Sequence, residues 1–286
     1  MAHAMGVDYI EQDVLLTRDK VLIVLHDLYL DAVTDVAEKF PDRQRPDGRR
    51  YAIDFTLEEI RSLRVHDRLS ANGRPAFPGR FPPDDALFRI PTFAEEIALI
   101  QGLNRSTGRD IGVYVEPKSP GWHQNEGVDL VREVVKALDH FGYRNRRDNA
   151  ILQSFDHKSL EYARHELQSD LKLVQLIGDN SWGESDTDFE FLQSCEGLES
   201  TAQLADGIGP WLPQVMSMTA QNTPDISDLT ARAQQLGLFV HAYTLRADQL
   251  PVEIGGMANA TRFLARNVGL DGVFTDHPDQ VIRALS

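Results

Sequence analysis

The chain has 286 residues, 42% of them hydrophobic, and a formal charge of −15. That length suits one core of α/β-barrel size, a single domain over 1–286, and the acidic balance excludes a non-specific nucleic-acid binder, which needs a basic stripe. The single cysteine, Cys195, excludes an internal disulfide and argues against a cysteine-built metal site.

The N-terminal Met1-Ala2-His3-Ala4-Met5-Gly6 lacks the basic flank and apolar run of a signal peptide. No stretch approaches the roughly 20 apolar residues of a membrane span, so stable membrane insertion is not expected. A strand follows over 8–14, in which Glu11 and Asp13 share one face while Ile10, Gln12 and Val14 take the other. Two carboxylates side by side suit a hard divalent cation. A short partner strand over 21–25 leads into His26, the side-chain type best matched to proton transfer near neutral pH.

From about 29 to 89 the chain is rich in Arg, Asp, Pro and Gly, including Phe77-Pro78-Gly79-Arg80-Phe81-Pro82-Pro83. Its one expected element is a short helix from Thr56, with Glu59 as capping-box partner. A long irregular stretch of this kind reads as an insertion, here expected over the mouth of the barrel. Helix and strand then alternate. Helices are expected over 92–103, with Thr92 and Glu95 at capping-box spacing and Phe93, Ile97, Leu99 and Ile100 apolar; over 128–141, on Val128, Val131, Val135 and Leu138; and over 225–236, between a cap at Asp225 and a stop at Gly237. Strands are expected over 111–116, 150–155, 171–177, 205–209, 238–243 and 272–275. The alternation is that of a parallel sheet with crossover helices.

In a parallel barrel the site gathers at the C-terminal strand ends, where Glu116 can converge with Glu11 and Asp13. Such an all-oxygen set favours calcium (Ca²⁺) or Mg²⁺ over a soft metal. Lys118, on the same strand face as Glu116, adds a second positive charge and points to an anionic substrate, phosphate most readily. Phe155 ends a strand at the mouth and walls either the pocket or the core. Trp182 and Trp211 follow strands in mouth loops, where they line the pocket or pack beneath the insertion. His241 reads as a satisfied core histidine. Taken singly, alternating acids are more often a solvated face, and His26-Asp27 a strand-ending turn.

The runs Asp8-Tyr9-Ile10-Glu11-Gln12-Asp13-Val14, Val24-Leu25-His26-Asp27, Ile90-Pro91-Thr92-Phe93-Ala94-Glu95-Glu96, Glu116-Pro117-Lys118, Leu152-Gln153-Ser154-Phe155 and Asp271-Gly272-Val273-Phe274-Thr275-Asp276-His277-Pro278 resemble, in order, motifs of the glycerophosphodiester phosphodiesterases. The resemblance covers essentially the whole chain, and the 29–89 stretch is similar to that of the bacterial glycerophosphoryl diester phosphodiesterase subgroup. It implies a TIM-type (β/α)8 barrel and metal-dependent hydrolysis of a small glycerophosphodiester to an alcohol and glycerol 3-phosphate. By position, Glu11, Asp13 and Glu116 resemble the metal ligands, His26 a catalytic histidine, and Lys118 a phosphate contact.

The chain departs from that pattern before Gly6, where family members usually carry a strand ending in His-Arg-Gly and a second catalytic histidine. A barrel short of its first strand, with self-association through the open edges at 8–14 and 272–275, is the corresponding expectation. An inactive barrel that keeps the metal site is the rival reading, and an enzyme acting on lysophospholipids or sphingolipids is the second. The chain as written reads as cytoplasmic, whereas an upstream signal peptide would place it in the periplasm or outside the cell.

Overall fold

A computed structural model describes residues 1–70, 73–78, 80, 88–221, 223–250 and 252–286, the side chain of residue 253 excepted. Part of the expected insertion, at 71–72, 79 and 81–87, lies outside the described residues. The chain forms two compact units: Met1–Glu11 with Ser106–Ser286, and Gln12–Arg105. The strands, in chain order, are β1 (Tyr9–Leu16), β2 (Leu22–Val24), β3 (Gly112–Pro117), β4 (Ala150–Ser154), β5 (Lys172–Ile177), β6 (Gly207–Pro210), β7 (Met216–Met218), β8 (Pro224–Ile226), β9 (Phe239–Leu245) and β10 (Gly272–Thr275). β1 begins in the first unit and ends in the second.

In the first unit the strand order is β10-β9-β6-β5-β4-β3-β1. Within that sheet every pairing from β3 to β10 is parallel, with Val113 opposite Ala150, Val174 opposite Gly207 and Gly272 opposite His241. Parallel neighbours need crossovers, which explains the helix between most strands. All the expected strands form, with no end moved by more than two residues.

β6 reads Gly-Ile-Gly-Pro because its neighbours fill the space of its side chains. A Cβ on Gly207 would lie 2.5 Å from the Phe239 ring, and one on Gly209 would lie 2.6 Å from Leu176. One face of the sheet buries Tyr114, Ile151 and Val174 against Tyr9, Phe239 and Phe274. The other packs Ile208, Val240 and Ala242 against Leu229, Ala233, Ala260 and Leu264 of the helices. Between β1 and β10 runs a cleft of about 530 Å³, lined by Asp8, Tyr9, Glu11, Tyr114, His241 and Asp271 among others.

The helix Leu130–His140 starts at Asp129, whose side chain accepts from the Arg132 N–H, and buries Leu130, Val131, Val134 and Leu138. Val134 thus takes the buried position expected of Val135. The expected cap at Asp225 is corrected: Asp225 lies in β8, paired antiparallel with β7, and the helix runs Leu229–Gln235 from Asp228. A three-residue strand is too short for its period to separate it from the start of a helix. Gly237, at φ +83°, ends that helix as expected.

In the second unit β2 pairs antiparallel with the end of β1, with Leu15 opposite Ile23. The helix Phe93–Thr107 has the expected capping box: Thr92 Oγ1 accepts from the Glu95 N–H, and Glu95 Oε2 accepts from the Thr92 N–H. It buries Phe93, Ile97 and Ile100, whereas Leu99, expected on that side, is exposed. The stretch after β2 holds more order than one helix. Beside Leu57–Ser62 it forms Val36–Lys39 and two 3₁₀ turns, and Leu30, Val36, Phe55, Ile60 and Leu63 bury a core with Leu15 and Ile23.

Its arginines are internal ties. Arg45 makes a two-pronged bond to Asp54 at 2.7 and 2.8 Å. Arg50 is held by Asp31 and by the carbonyls of Phe40 and Pro41. Planar guanidinium forks match such acceptors, so an arginine-rich segment can be rigid with little helix or strand. No helix among the described residues is long and apolar enough to cross a membrane.

Candidate active site

Glu11 stands in β1 and Glu116 near the end of β3, and their carboxylates offer oxygens within 4.8 Å of each other. Asp13, next on the same face of β1, offers an oxygen within that distance of Glu11. Glu11, Asp13 and Glu116 can therefore each present one hard oxygen to a metal ion. Glu116 is 5% exposed.

Lys118 follows directly after β3 and is as buried as Glu116. Its Nζ lies 2.8 Å from Glu116 Oε1 and 3.4 Å from Glu184 Oε1. A buried ammonium needs carboxylates of this kind to offset its lost hydration. Gln153, on β4, donates from Nε2 to Glu11 Oε1 at 3.1 Å. Its Oε1 is buried and meets no hydrogen-bond donor among the described residues. An orphaned amide oxygen next to a carboxylate set fits a site that takes a cation or its water.

Phe155 follows β4. Lys118 Nζ lies 5.5 Å from its ring centroid, and Tyr243 meets it edge-on at 5.7 Å. Tyr243 donates its hydroxyl to the Ile177 carbonyl, and burial, with the Glu116 charge, pushes its phenol pKa well up. Phe155 therefore has an aromatic side and a charged side.

His26 lies in the second unit, just past β2, with its side chain 61% exposed. Its Nδ1 is 2.6 Å from Asp27 Oδ1, and Arg68 grips Asp27 from both guanidinium nitrogens at 2.6 and 2.9 Å. Burial works to raise the Asp27 carboxyl, but the bonds from His26 and Arg68 outweigh it and hold it well below the usual range. A charged Asp27 fixes the ring with Nδ1 inward and leaves Nε2 for proton transfer.

Four contributors escaped the sequence reading: Gln153, Glu184, Asp27 as an orienting group, and Arg68. Asp27 had a signal in its adjacency to His26. Arg68 had none, because it comes from a segment with no periodic pattern.

Residues 1–280 match the glycerophosphoryl diester phosphodiesterase family. The chain belongs to that family. It is 38% identical to a glycerophosphodiester phosphodiesterase of Haemophilus influenzae over 304 aligned residues, covering all of this chain and 84% of that protein. A glycerophosphodiester phosphodiesterase of Treponema pallidum is 34% identical, with 100% and 85% covered. Among solved structures, a glycerophosphodiester phosphodiesterase of Agrobacterium tumefaciens superposes with a TM-score of 0.62 at 18% identity, covering 100% of this chain and 90% of that one. A phosphodiesterase of Oleispira antarctica, in complex with the product sn-glycerol-3-phosphate, superposes at 0.60 and 17% identity, with 99% and 86% covered. The fold is the α/β barrel type of these phosphodiesterases, and the chain is an enzyme of the phosphodiester hydrolase class. Within the family's motifs, Glu116-Pro117-Lys118 supplies the buried charged pair, and Leu152-Gln153-Ser154-Phe155 supplies both the bond to Glu11 and the ring beside Lys118.

Proposed function

We propose that this chain hydrolyses glycerophosphodiesters to an alcohol and glycerol 3-phosphate, with a divalent ion, Ca²⁺ or Mg²⁺, held by Glu11, Asp13 and Glu116. The pairing of Glu116 with Lys118 at 2.8 Å, beside the Glu11 carboxylate, carries the reading. It supplies cation ligands and a phosphate-binding ammonium from adjacent positions of one strand end, in a chain of this family. When bound, the metal would supply positive charge that polarises the phosphoryl oxygens.

The chain's own groups do the rest. Lys118 neutralises charge gathering on the phosphoryl oxygens as the phosphorus–oxygen bond to the alcohol breaks and a water hydroxyl takes its place. His26, oriented by Asp27, transfers a proton at Nε2. Phe155 walls the substrate beside Lys118. The test is release of glycerol 3-phosphate from glycerophosphocholine with added Ca²⁺, Mg²⁺ or chelator. Turnover that needs the ion supports the reading, and turnover unaffected by exhaustive chelation overturns the metal assignment.

A further inference from the structure

The charged end of the site in the first unit continues into an aromatic surface that the hydrolysis itself does not use. The loops after β5 and β6 place Trp182 and Trp211 against each other, ring centroids 5.2 Å apart and planes at 71°. They are 45% and 37% exposed, among the few large apolar side chains left open to water. Partly exposed tryptophans are enriched at surfaces that bind partners or ligands.

The pair is fixed in place. A Cβ on Gly178 would lie 3.0 Å from Trp182 Cε3 and 3.3 Å from Phe155 Cε1, so the absence of a side chain there lets both rings pack close to that backbone. Gln214 joins the two loops: its Nε2 donates to the Gly178 carbonyl at 2.6 Å, and its Oε1 accepts from the Trp211 N–H at 2.9 Å. Phe155 links this pair to Lys118. Glu184, two residues after Trp182, brings its carboxylate to the same side of the site, 3.4 Å from Lys118.

We propose that Trp182, Trp211 and Glu184 receive a quaternary ammonium head group, so that choline diesters are the preferred substrates. This rests on the phosphodiesterase reading and names its substrate class. A trimethylammonium group has no hydrogen to donate and a weakly held hydration shell. It is satisfied by aromatic faces and a nearby carboxylate, and those are what the two loops provide. A glycerol head group would need hydrogen-bond partners that indole faces do not offer. The charges agree, with Glu11, Glu116 and Glu184 set against the one ammonium of Lys118 in this cluster. With Asp13 counted among the carboxylates, a divalent ion and an anionic phosphodiester still leave the cluster net negative, and a cationic choline head group offsets part of that charge.

The experiment compares kcat/KM for glycerophosphocholine and glycerophosphoglycerol, in the metal-loaded full chain, for wild type, Trp182→Ala, Trp182→Phe and Glu184→Gln. Wild type is expected to favour the choline diester by roughly tenfold, with that ratio falling about tenfold in Trp182→Ala, falling in Glu184→Gln and largely kept in Trp182→Phe. Equal use of both diesters by wild type, or a ratio unmoved by Trp182→Ala, overturns the proposal and leaves the phosphodiesterase reading intact. Titration of tryptophan fluorescence with tetramethylammonium chloride, against sodium chloride at equal ionic strength, needs no turnover. If no diester is hydrolysed, the phosphodiesterase reading fails, and saturable quenching lost in Trp182→Ala sustains the head-group site while its absence removes it. Should the variants misfold by circular dichroism, the wild-type ratio and the wild-type titration decide.

Discussion

Lys118 Nζ and Glu116 Oε1 lie 2.8 Å apart, and both residues are only 5% exposed. The ammonium and the carboxylate each offset the other's lost hydration where water is scarce. Glu116→Gln keeps the shape and removes the charge. Calcium affinity by isothermal titration is expected to fall at least about tenfold, since even an outer partner of a metal ligand commonly contributes that much. Equal affinity in wild type and Glu116→Gln would remove Glu116 from the ligand set.

Variants at His26 and Asp27 can separate the proposed proton transfer from its orientation. His26→Ala is expected to lower kcat by roughly 10²–10⁴-fold while leaving calcium affinity unchanged. Asp27→Asn retains the ring but frees its tautomer and loosens Arg68. It should give a smaller loss in kcat, with KM little changed. A matched loss of metal affinity in His26→Ala would move His26 from proton transfer to ligation.

Burial lowers the His241 imidazole to about 4, beside the Tyr114 ring and hydroxyl. Its folded value therefore lies below the ordinary 6.5, and the unfolded chain binds the extra proton between those values. The contribution is complete above pH 6.5 and is lost as pH falls toward 4. Urea unfolding of wild type should weaken across that window by up to roughly 1.4 kcal/mol per pH unit more than His241→Gln does. Parallel pH profiles for the two proteins would place the proton elsewhere.

Two glycines make a contrasting pair. A Cβ on Gly197 would meet the Phe191 carbonyl oxygen at 2.0 Å, whereas one on Gly102, within the helix Phe93–Thr107, meets nothing within 4 Å. Gly197→Ala should destabilise by at least about 1–3 kcal/mol, through displaced backbone. Gly102→Ala should stabilise by roughly 0.5–1 kcal/mol, through helix propensity. Thermal melts of the two variants read both signs.

The parallel strands were legible because runs such as 150–155 and 171–177 carry apolar residues on both faces and are flanked by turn residues. Glu11 and Asp13 were legible because strand alternation assigns them one face, and Glu116 because a parallel barrel gathers its strand ends and the motif resemblance covers it. The arginine-rich segment after β2 was not. Its order comes from bidentate bonds between residues such as Arg45 and Asp54, and no periodicity marks a guanidinium's partner. Arg68 behind Asp27 is hidden for the same reason. Gln153 lay inside a recognised motif, yet its role depends on an atom-to-atom bond to Glu11 across 142 positions of sequence. The Asp225 cap failed because a three-residue strand carries too few positions to show a period.

The tryptophans and most of the charged groups are anchored to different strands: the indoles, with Glu184, follow β5 and β6, whereas Glu11 and Glu116 stand on β1 and β3 and Lys118 directly follows β3. A loop graft that replaces Trp182 or Trp211 therefore leaves Glu11, Glu116 and Lys118 in their own frames. The scaffold is modular in this sense: leaving-group taste can drift, or be engineered, by rewriting two loops while the phosphate-handling end stays fixed.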